Sequence, residues 1–499
     1  MSTVKPRPPL HNPRASQKLS HLSADVDPLP LVIDLDGTLL RSDLLLETGL
    51  AFMRSHPLRL LKPLGWLSKG KTVLKDRLAR ATHIDVRVLP YDPAVIELIQ
   101  AERSNGRTVI LATASHHSLA ERIAEHLQLF DQVLASDSSR NLSAERKRDL
   151  LVGHFGEHGF DYAGNSHDDL PVWAAARKAY LVNPDAGVEP RARAHGNVKQ
   201  VIRSNSPSIK DWAKALRLHQ WMKNLLIFTP LLTAHQLGVP QLLWQGLLAF
   251  LFFGLCASSV YLLNDLLDLT DDRHHGTKRH RPFASGRLAI KSGIMAFPAL
   301  LAGSFAGAIL LLPWEFSAVL ATYYILTLGY SLALKRQMAV DVIALALLYT
   351  IRIIAGAAAC KLPLTFWILA FSMFMFLSLA MVKRYTELRE SRKKGRTDKT
   401  RGRGYYPSDL EMIASLGSAS GYLAVMVLAL YIHDQATVLM YSYPELIWLA
   451  CPLLLFWITR IWMLAHRGEV NEDPVVFAIR DRTSLMVGIL FCLVFWGAA

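Results

Sequence analysis

Cysteine is nearly absent: the 499 residues contain four, Cys256, Cys360, Cys451 and Cys492, with no CxxC pair and no histidine at zinc-ligand spacing. Disulfide-stapled secreted folds and zinc modules are excluded on that count, and all four cysteines read as small apolar side chains. Charge is also scarce, at 19% of residues, and acids are outnumbered by bases, 41 to 55. Residues 1–30 lack an apolar run, so neither a cleavable leader nor a packed element is expected there, only a disordered tail. The widest gap lies in the second half, where no Asp, Glu, Lys or Arg occurs between Asn224 and Asp265. About 40 uncharged residues suffice for two membrane spans of about 20.

Apolar residues make up 51% of the chain, and the mean hydropathy of +0.22 is high for a purely soluble protein. They concentrate after residue 220. Before that point, short apolar runs at 31–33, 108–112, 132–135 and 180–182 are separated by segments of helical periodicity. This alternation predicts a parallel sheet with helices on both faces over 31–190. The stretch from Leu39 to Arg103 fits a small helical cap inserted after the first strand. A basic, polar linker is expected over 191–210, and a membrane domain over 211–499. Further uncharged stretches at 292–314, 316–334, 362–382, 412–433 and 483–499, with 338–360 and 445–463 interrupted by single charges, bring the expected number of spans to nine.

The segments 265–291, 335–337, 383–409 and 466–482 carry almost all the Lys and Arg of this half, whereas the turns near 238, 313, 360 and 436 contain only Lys361. The positive-inside rule puts the charged loops and the amino-terminal domain in the cytoplasm, with the protein integral to the plasma (inner) membrane. The basic excess is thereby a topology signal, and nucleic-acid binding is not expected.

Two motifs carry chemistry. In Leu-Val-Ile-Asp34-Leu-Asp36-Gly37-Thr38, two carboxylates stand just beyond an apolar strand, two residues apart and on one side of an extended chain. Such a pair can divide nucleophile and acid/base roles around one magnesium ion. The segment resembles the haloacid dehalogenase superfamily, and Thr113 (in Val-Ile-Leu-Ala-Thr-Ala-Ser), Lys147 and Gly164-Asn165-Ser166-His167-Asp168-Asp169 follow in that superfamily's order. The resemblance implies an α/β Rossmann-like phosphatase domain. In it Asp34 forms an aspartyl-phosphate, Asp36 serves as acid and base, Thr113 and Lys147 hold the phosphoryl group, and Asp34, Asp36, Asn165 and Asp169 surround Mg²⁺. Asn165 stands where the family usually has Asp, which removes one charge from the metal site, although an amide oxygen can still coordinate Mg²⁺. A degenerate, non-catalytic domain is the alternative. His116, His117 and His167 have no evident partner and read as solvated.

The second motif, Asn264-Asp265-Leu-Leu-Asp268-Leu-Thr-Asp271-Asp272, begins where a span ends. On a continuing helix, positions 265, 268 and 272 share a face. Carboxylates so placed at a membrane edge repel unless a cation binds between them. Arg273, Lys278, Arg279 and Arg281 follow at once, setting a phosphate-binding loop beside a metal-binding face. The pattern resembles the UbiA-type prenyltransferase superfamily, whose fold is an all-α nine-helix transmembrane bundle. Within it the sequence is most similar to the decaprenyl-phosphate phosphoribosyltransferases, on Arg217 to Asn224, Asp272 to Pro282, Tyr330-Ser331, Leu334-Lys335, Asp341, Arg352 and Lys383-Arg384-Tyr385 with Glu387-Leu388. A loop difference is His275-Gly276 in place of the usual His-Pro.

The resemblance implies that Asn264, Asp265, Asp268 and Asp272 hold Mg²⁺ on the diphosphate of 5-phosphoribosyl 1-diphosphate (PRPP). Lys223, Lys278, Arg281 and Lys335 are then phosphate contacts, Arg217, Tyr330, Asp341, Arg352 and Lys383 further cavity residues, and the acceptor is a polyprenyl phosphate. Aromatic prenyltransferases of the superfamily carry a second DxxxD motif, whereas here Asp341 is followed four positions later by Leu345. An aromatic prenyltransferase using an isoprenyl diphosphate is nonetheless the alternative reading. A purely structural Asp341–Arg352 pair is the alternative for those two charges, and Asp473 and Asp481 are candidates for gating. The two motifs together suggest one bifunctional chain, a transferase whose phosphoribosyl product loses its 5-phosphate at the fused phosphatase; oligomeric state is not legible.

Overall fold

The computed structural model describes residues 29–498 apart from 57–58, 60, 138–140, 396, 399–402, 435–440 and 471–472. The tail expected over 1–30 therefore lies, but for its last two residues, outside the described residues. The chain divides into two units: Met1–Asp211 with Asp265–Ser292, and Trp212–Asn264 with Gly293–Ala499. The aspartate-rich segment thus clusters with the first unit, although the motif reading grouped it with the membrane half.

The first unit is built on six parallel strands, β1 (Leu31–Ile33), β2 (Val109–His116), β3 (Gln132–Ser136), β4 (Asp161–Gly164), β5 (Ala179–Val182) and β6 (Val198–Ile202), in the order β3-β2-β1-β4-β5-β6. Alternate residues point to opposite faces. Leu31, Ile33, Val109 and Leu111 enter one core, while Val32, Ile110, Ala112, Tyr162 and Leu181 enter the other. Burial on both faces explains why β1 and β2 read as continuous apolar runs.

Chain order reverses between β1 and β4, which are hydrogen-bonded neighbours. In an open parallel sheet the crevice at the carboxyl ends of such strands is where ligands bind, and Asp34 and Asp36 after β1 and Asn165 to Asp169 after β4 stand there. Between β1 and β2 come α1 (Leu44–Ser55), α2 (Lys62–Leu67), α3 (Lys71–Ala81) and α4 (Pro93–Ser104). Helix α1 starts where Asp43 accepts the Leu46 N–H at 3.0 Å. The remaining helices are α5 (His117–Leu127), α6 (Glu145–Phe155), α7 (Leu170–Ala175) and α8 (Val188–Arg193). The segment 191–210, expected as a linker, holds β6, which extends the sheet by pairing with β5.

The second unit is helical. Six helices are long and apolar enough to cross a membrane: Pro240–Leu267, Ile290–Leu311, Val340–Cys360, Phe366–Lys393, Pro407–Ile432 and Pro444–Arg467. Trp314–Leu332, with Glu315 in its first turn, and the shorter apolar Arg482–Ala498 stand at two more of the nine expected positions. At the ninth, near 224–240, the chain forms a 3-10 helix, Leu218–Phe228, and a one-turn helix, Thr229–Thr233, with Pro230 at its start. Neither is long enough to span. Close packing rests on glycine and on hydrogen bonds between helices. A Cβ on Gly356 would lie 1.9 Å from the Ile227 carbonyl and one on Gly417 2.3 Å from the Trp462 ring, while the Trp462 indole donates to Ser378 at 3.1 Å.

Candidate functional site

At the carboxyl end of β1, Asp34 is buried and its Oδ1 accepts from the Lys147 ammonium at 2.6 Å. Lys147 comes from the first turn of α6 and also donates to Asp169 Oδ1 at 3.4 Å and to the Tyr162 hydroxyl at 2.8 Å. Tyr162 in turn donates to Asp169 at 2.7 Å. The turn after β4 fixes Asp169 from the other side, because its Oδ2 accepts the backbone N–H groups of Asn165 and Ser166, both at 3.0 Å. Burial works against charge on Lys147, yet Asp34 and Asp169 outweigh it and hold the ammonium well above the ordinary lysine range. Burial raises the Asp34 carboxyl in spite of Lys147, whereas the lysine and the backbone donors overcome burial at Asp169 and lower it.

Asp36 points along a different set of contacts. Its Oδ1 accepts the Leu44 N–H at the start of α1 at 2.8 Å, and its Oδ2 accepts from the Ser115 hydroxyl at 2.5 Å. Burial, reinforced by Asp43, lifts this carboxyl above its ordinary value. Gly37 has a φ of +79°, and a Cβ there would lie 2.4 Å from the Asn165 amide. A side chain at position 37 would therefore displace Asn165 from the turn that faces Asp34 and Asp36.

These residues line a cavity of about 700 Å³, together with Arg41, Lys71, Lys75, Asn141 and, from the later segment, Gly286, Ala289, Ile290 and Lys291. Thr113 is buried and accepts the Ser115 N–H at 2.9 Å. The hydroxyl that β2 presents to the cavity belongs to Ser115, which sequence reading passed over although it stands two positions after Thr113 on the same side of the strand. His116, read as solvated, is buried and lies 3.3 Å from Asp76.

In the segment Asp265–Ser292, Asp265 and Asp272 are buried and converge on one cation, the Arg281 guanidinium, whose Nη1 lies 3.0 Å and 2.7 Å from them. Burial raises the Asp272 carboxyl despite this partner. The continuous helix expected through this motif breaks at Asp268, which ends one helix at Leu267 and precedes another, Leu269–His274. Asp268 consequently leaves the common face and pairs instead with Arg54 of α1 at 3.4 Å. Arg54 also holds Asp271 at 2.5 Å. Arg273 is buried and forms a forked pair with Glu47 of α1, at 2.6 and 3.0 Å, so it is a packing residue and not a free phosphate contact. Lys278 is exposed in the turn Lys278–His280.

The second unit holds two charged clusters. Buried Asp341 accepts the Tyr330 hydroxyl at 2.8 Å and is paired with Arg384 at 2.5 Å and Arg403 at 3.3 Å. Arg352 binds Asn224 Oδ1 at 3.0 Å and lies over the rings of Phe253 and Tyr323, so the Asp341–Arg352 pair is not formed. Around Asp473 gather Lys223 at 2.7 Å, Lys383 at 3.2 Å and the Tyr349 hydroxyl at 2.8 Å. Asn264 donates to Ser331 at 3.0 Å, Arg217 stacks on Tyr261, and Lys335 lies in the turn Leu334–Arg336.

Among the described residues no three His, Cys, Asp or Glu side chains meet at metal-ligand spacing. The chemistry of the donors nevertheless fits a hard divalent cation. Asp34, Asp36, Asn165 and Asp169 all carry side-chain oxygens, with Asn165 so close to the turn at position 37 that no Cβ fits there, and Asp265 and Asp272 both reach the Arg281 guanidinium.

Comparison with known proteins matches residues 225–495 to the UbiA prenyltransferase family and residues 31–179 to the haloacid dehalogenase-like hydrolases. An uncharacterized protein y4nM of Sinorhizobium fredii is 39% identical over 94% of this chain and 90% of its own. The nodulation protein NoeC of Azorhizobium caulinodans is 37% identical over 57% of this chain and 96% of its own. Decaprenyl-phosphate phosphoribosyltransferase of Mycolicibacterium smegmatis is 33% identical over 54% of this chain and 86% of its own.

Proposed function

We infer the activity from one premise: the chain belongs to the UbiA prenyltransferase family and carries a haloacid dehalogenase-like hydrolase region ahead of it. The membrane half joins PRPP to a polyprenyl phosphate, giving polyprenylphosphoryl-5-phosphoribose and diphosphate, and the amino-terminal domain removes the 5-phosphate. The observation that carries this reading is the 33% identity to a decaprenyl-phosphate phosphoribosyltransferase along 86% of that enzyme. The structure supports it over prenylation of an aromatic acceptor. Asp341, where a second metal-binding acidic pair would begin, stands without a second acid and is taken up by Arg384 and Arg403. That arrangement suits a sugar phosphate better than a second metal-held diphosphate.

For the transferase, Asp265 and Asp272 would hold Mg²⁺, since Asp268 is turned aside to Arg54. Lys223, Lys278, Arg281, Lys335 and Lys383 are the motif lysines and arginine offered to phosphate groups, and Arg217, Tyr330 and Arg352 the further polar residues of the motif. The bond from the ribose anomeric carbon to diphosphate breaks, and a phosphate oxygen of the lipid bonds to that carbon. No proton is transferred, because a lipid phosphate at neutral pH already presents a charged oxygen.

For the phosphatase, Asp34 attacks phosphorus while Asp36 gives its proton to the departing 5-oxygen; Asp36 then takes a proton from the water that releases phosphate and regenerates Asp34. Lys147 neutralises the transferring phosphoryl, and Ser115 supplies the β2 hydroxyl that lines the cavity, with Thr113 holding the Ser115 backbone N–H behind it. Asp34, Asp36, Asn165 and Asp169 would hold Mg²⁺ there. Bound at either site, the ion would stabilise charge on phosphate oxygens, the dominant contribution in such transfers. The loop charges support placing both activities on the cytoplasmic side of the membrane.

The test is to incubate the full chain and its Asp34→Asn variant with Mg²⁺, PRPP and a polyprenyl phosphate, and to weigh the lipid products. Ribosyl lipid from the parent and 5-phosphoribosyl lipid from the variant are expected. No ribosylated lipid from either, with PRPP intact, would end the assignment and favour an aromatic acceptor.

A further inference from the structure

We propose that the phosphatase cavity contains a second anion subsite, centred on Lys75 with Lys71 and Lys291 beside it, and that its substrate is a phosphomonoester carrying a second, phosphodiester charge. The inference rests on the phosphatase reading and narrows it to a substrate class.

The acids of the cavity come mainly from strand ends: Asp34 and Asp36 after β1, Asp168 and Asp169 after β4, and Asp185 after β5, with Asp43 capping α1. Two of its cations are already committed, Lys147 to Asp34 and Asp169, and Arg41 to Asp92 at 2.9 Å. The other three come from two elements, Lys71 and Lys75 from α3 of the cap and Lys291 from the later segment. Lys75 is half-buried, and its ammonium donates to the Ala114 carbonyl at 2.5 Å and to Asn141 Oδ1 at 3.0 Å. Both acceptors are neutral. Among the described residues none of these three lysines forms an ion pair.

Beyond these acceptors Lys75 feels the carboxylates of Asp36 and Asp43, although neither is ion-paired with it, and an ammonium partly withdrawn from water is stabilised where an anion arrives to meet it. The reacting phosphoryl is already served by Lys147. A second anionic group on the same substrate is what remains for Lys75. In a 5-phosphoribosyl lipid that group is the phosphodiester at the anomeric carbon, one sugar ring away from the reacting ester.

The subsite is tested on the full chain, since Gly286, Ala289, Ile290 and Lys291 form part of the cavity wall. Phosphate release is measured from ribose 5-phosphate, from the methyl phosphodiester of ribose 1,5-bisphosphate, and from polyprenylphosphoryl-5-phosphoribose, for the parent and for Lys75→Met and Lys291→Met. A charge-assisted contact predicts a KM about 10-fold lower for the methyl diester than for ribose 5-phosphate. In Lys75→Met that advantage disappears, the KM for the methyl diester rising about 10-fold relative to that for ribose 5-phosphate. An equal KM for the two soluble substrates in the parent, or equal losses on both in Lys75→Met, overturns the proposal. A further gain with the polyprenyl diester that Lys75→Met also removes identifies the lipid product as the source of the anion. Calorimetric binding of the same soluble compounds to Asp34→Asn separates the two readings. Lys75-dependent preference for the diester without hydrolysis by the parent would keep the subsite and sink the phosphatase, whereas hydrolysis without that preference would do the reverse.

Discussion

Removing the Glu47 carboxylate should unfold the first unit well before any chemistry is lost directly. Both oxygens of Glu47 are used: Oε1 accepts from Arg273 at 2.6 Å and from the Ser42 hydroxyl at 2.5 Å, and Oε2 accepts from Arg273 at 3.0 Å. The side chains are 2% and 4% exposed, so neither charge can fall back on water. In Glu47→Ala the guanidinium keeps only its bond to the Ala284 carbonyl at 2.9 Å. Breaking a buried pair from one side costs about 3–5 kcal/mol. At about 2–4 °C per kcal/mol for a domain of this size, the melting temperature should fall by about 6–20 °C.

The assay is the loss of hydrogen-exchange protection in β1 and β2 on heating the full chain in detergent, since those strands are the most deeply buried part of the unit. The double variant Glu47→Leu/Arg273→Met should recover most of the loss, because it removes both charges and retains the packing. A fall of less than about 2 °C in the single variant, or a double variant as unstable as the single, would refute the reasoning.

Other consequences can be checked separately. Lys147→Met should lower kcat for monoester hydrolysis about 10²–10³-fold, the usual cost of losing one electrostatic stabiliser, as read by phosphate release. Gly37→Ala should abolish that activity while Asp265 variants leave it intact, because a Cβ at 37 collides with Asn165. Asp272→Asn should slow ribosyl transfer about 10²-fold in a PRPP-dependent lipid assay by removing one of the two carboxylates that converge on a single cation. Asp341→Asn leaves Arg384 with Glu387 as its remaining acidic partner and should destabilise the helical unit by about 1.5–3 kcal/mol, seen as a lower melting temperature in detergent.

The sheet was legible wherever strands are buried on both faces. Leu31–Ile33 and residues 109–112 are apolar throughout because each packs a core above and below. Two strands left no such trace. Asp161–Gly164 is short and begins with an acid that is paired with Arg107 and Arg177, and Val198–Ile202 lies at the sheet edge with Lys199 and Gln200 exposed. An edge strand with polar side chains looks like a linker. The helical unit differed for a related reason: absence of charge over 224–265 is compatible with two spans, but it does not enforce helix, and the chain there uses Leu218–Phe228 as a 3-10 segment packed against Gly356.

The chemistry was legible where a motif holds it at short spacing, as with Asp34, Asp36 and Asp169, and illegible where long-range pairing decides. Helical spacing places Asp265, Asp268 and Asp272 together only while the helix continues, and Arg54, 214 positions before Asp268 along the chain, takes Asp268 aside instead. In the same way Asp341 could have met Arg352 eleven residues on, but that spacing puts the two about three turns apart on one helix. Arg384 of another helix reaches Asp341, and Asn224 with three aromatic rings satisfies Arg352. Lys75 belongs to the same class. Its ammonium is hydrogen-bonded to two neutral acceptors and is not ion-paired, a property of neighbours brought from β2 and from position 141. Charges whose partners come from other elements are therefore where the structure adds most to the sequence, and they are also where substitutions discriminate most sharply between packing and recognition.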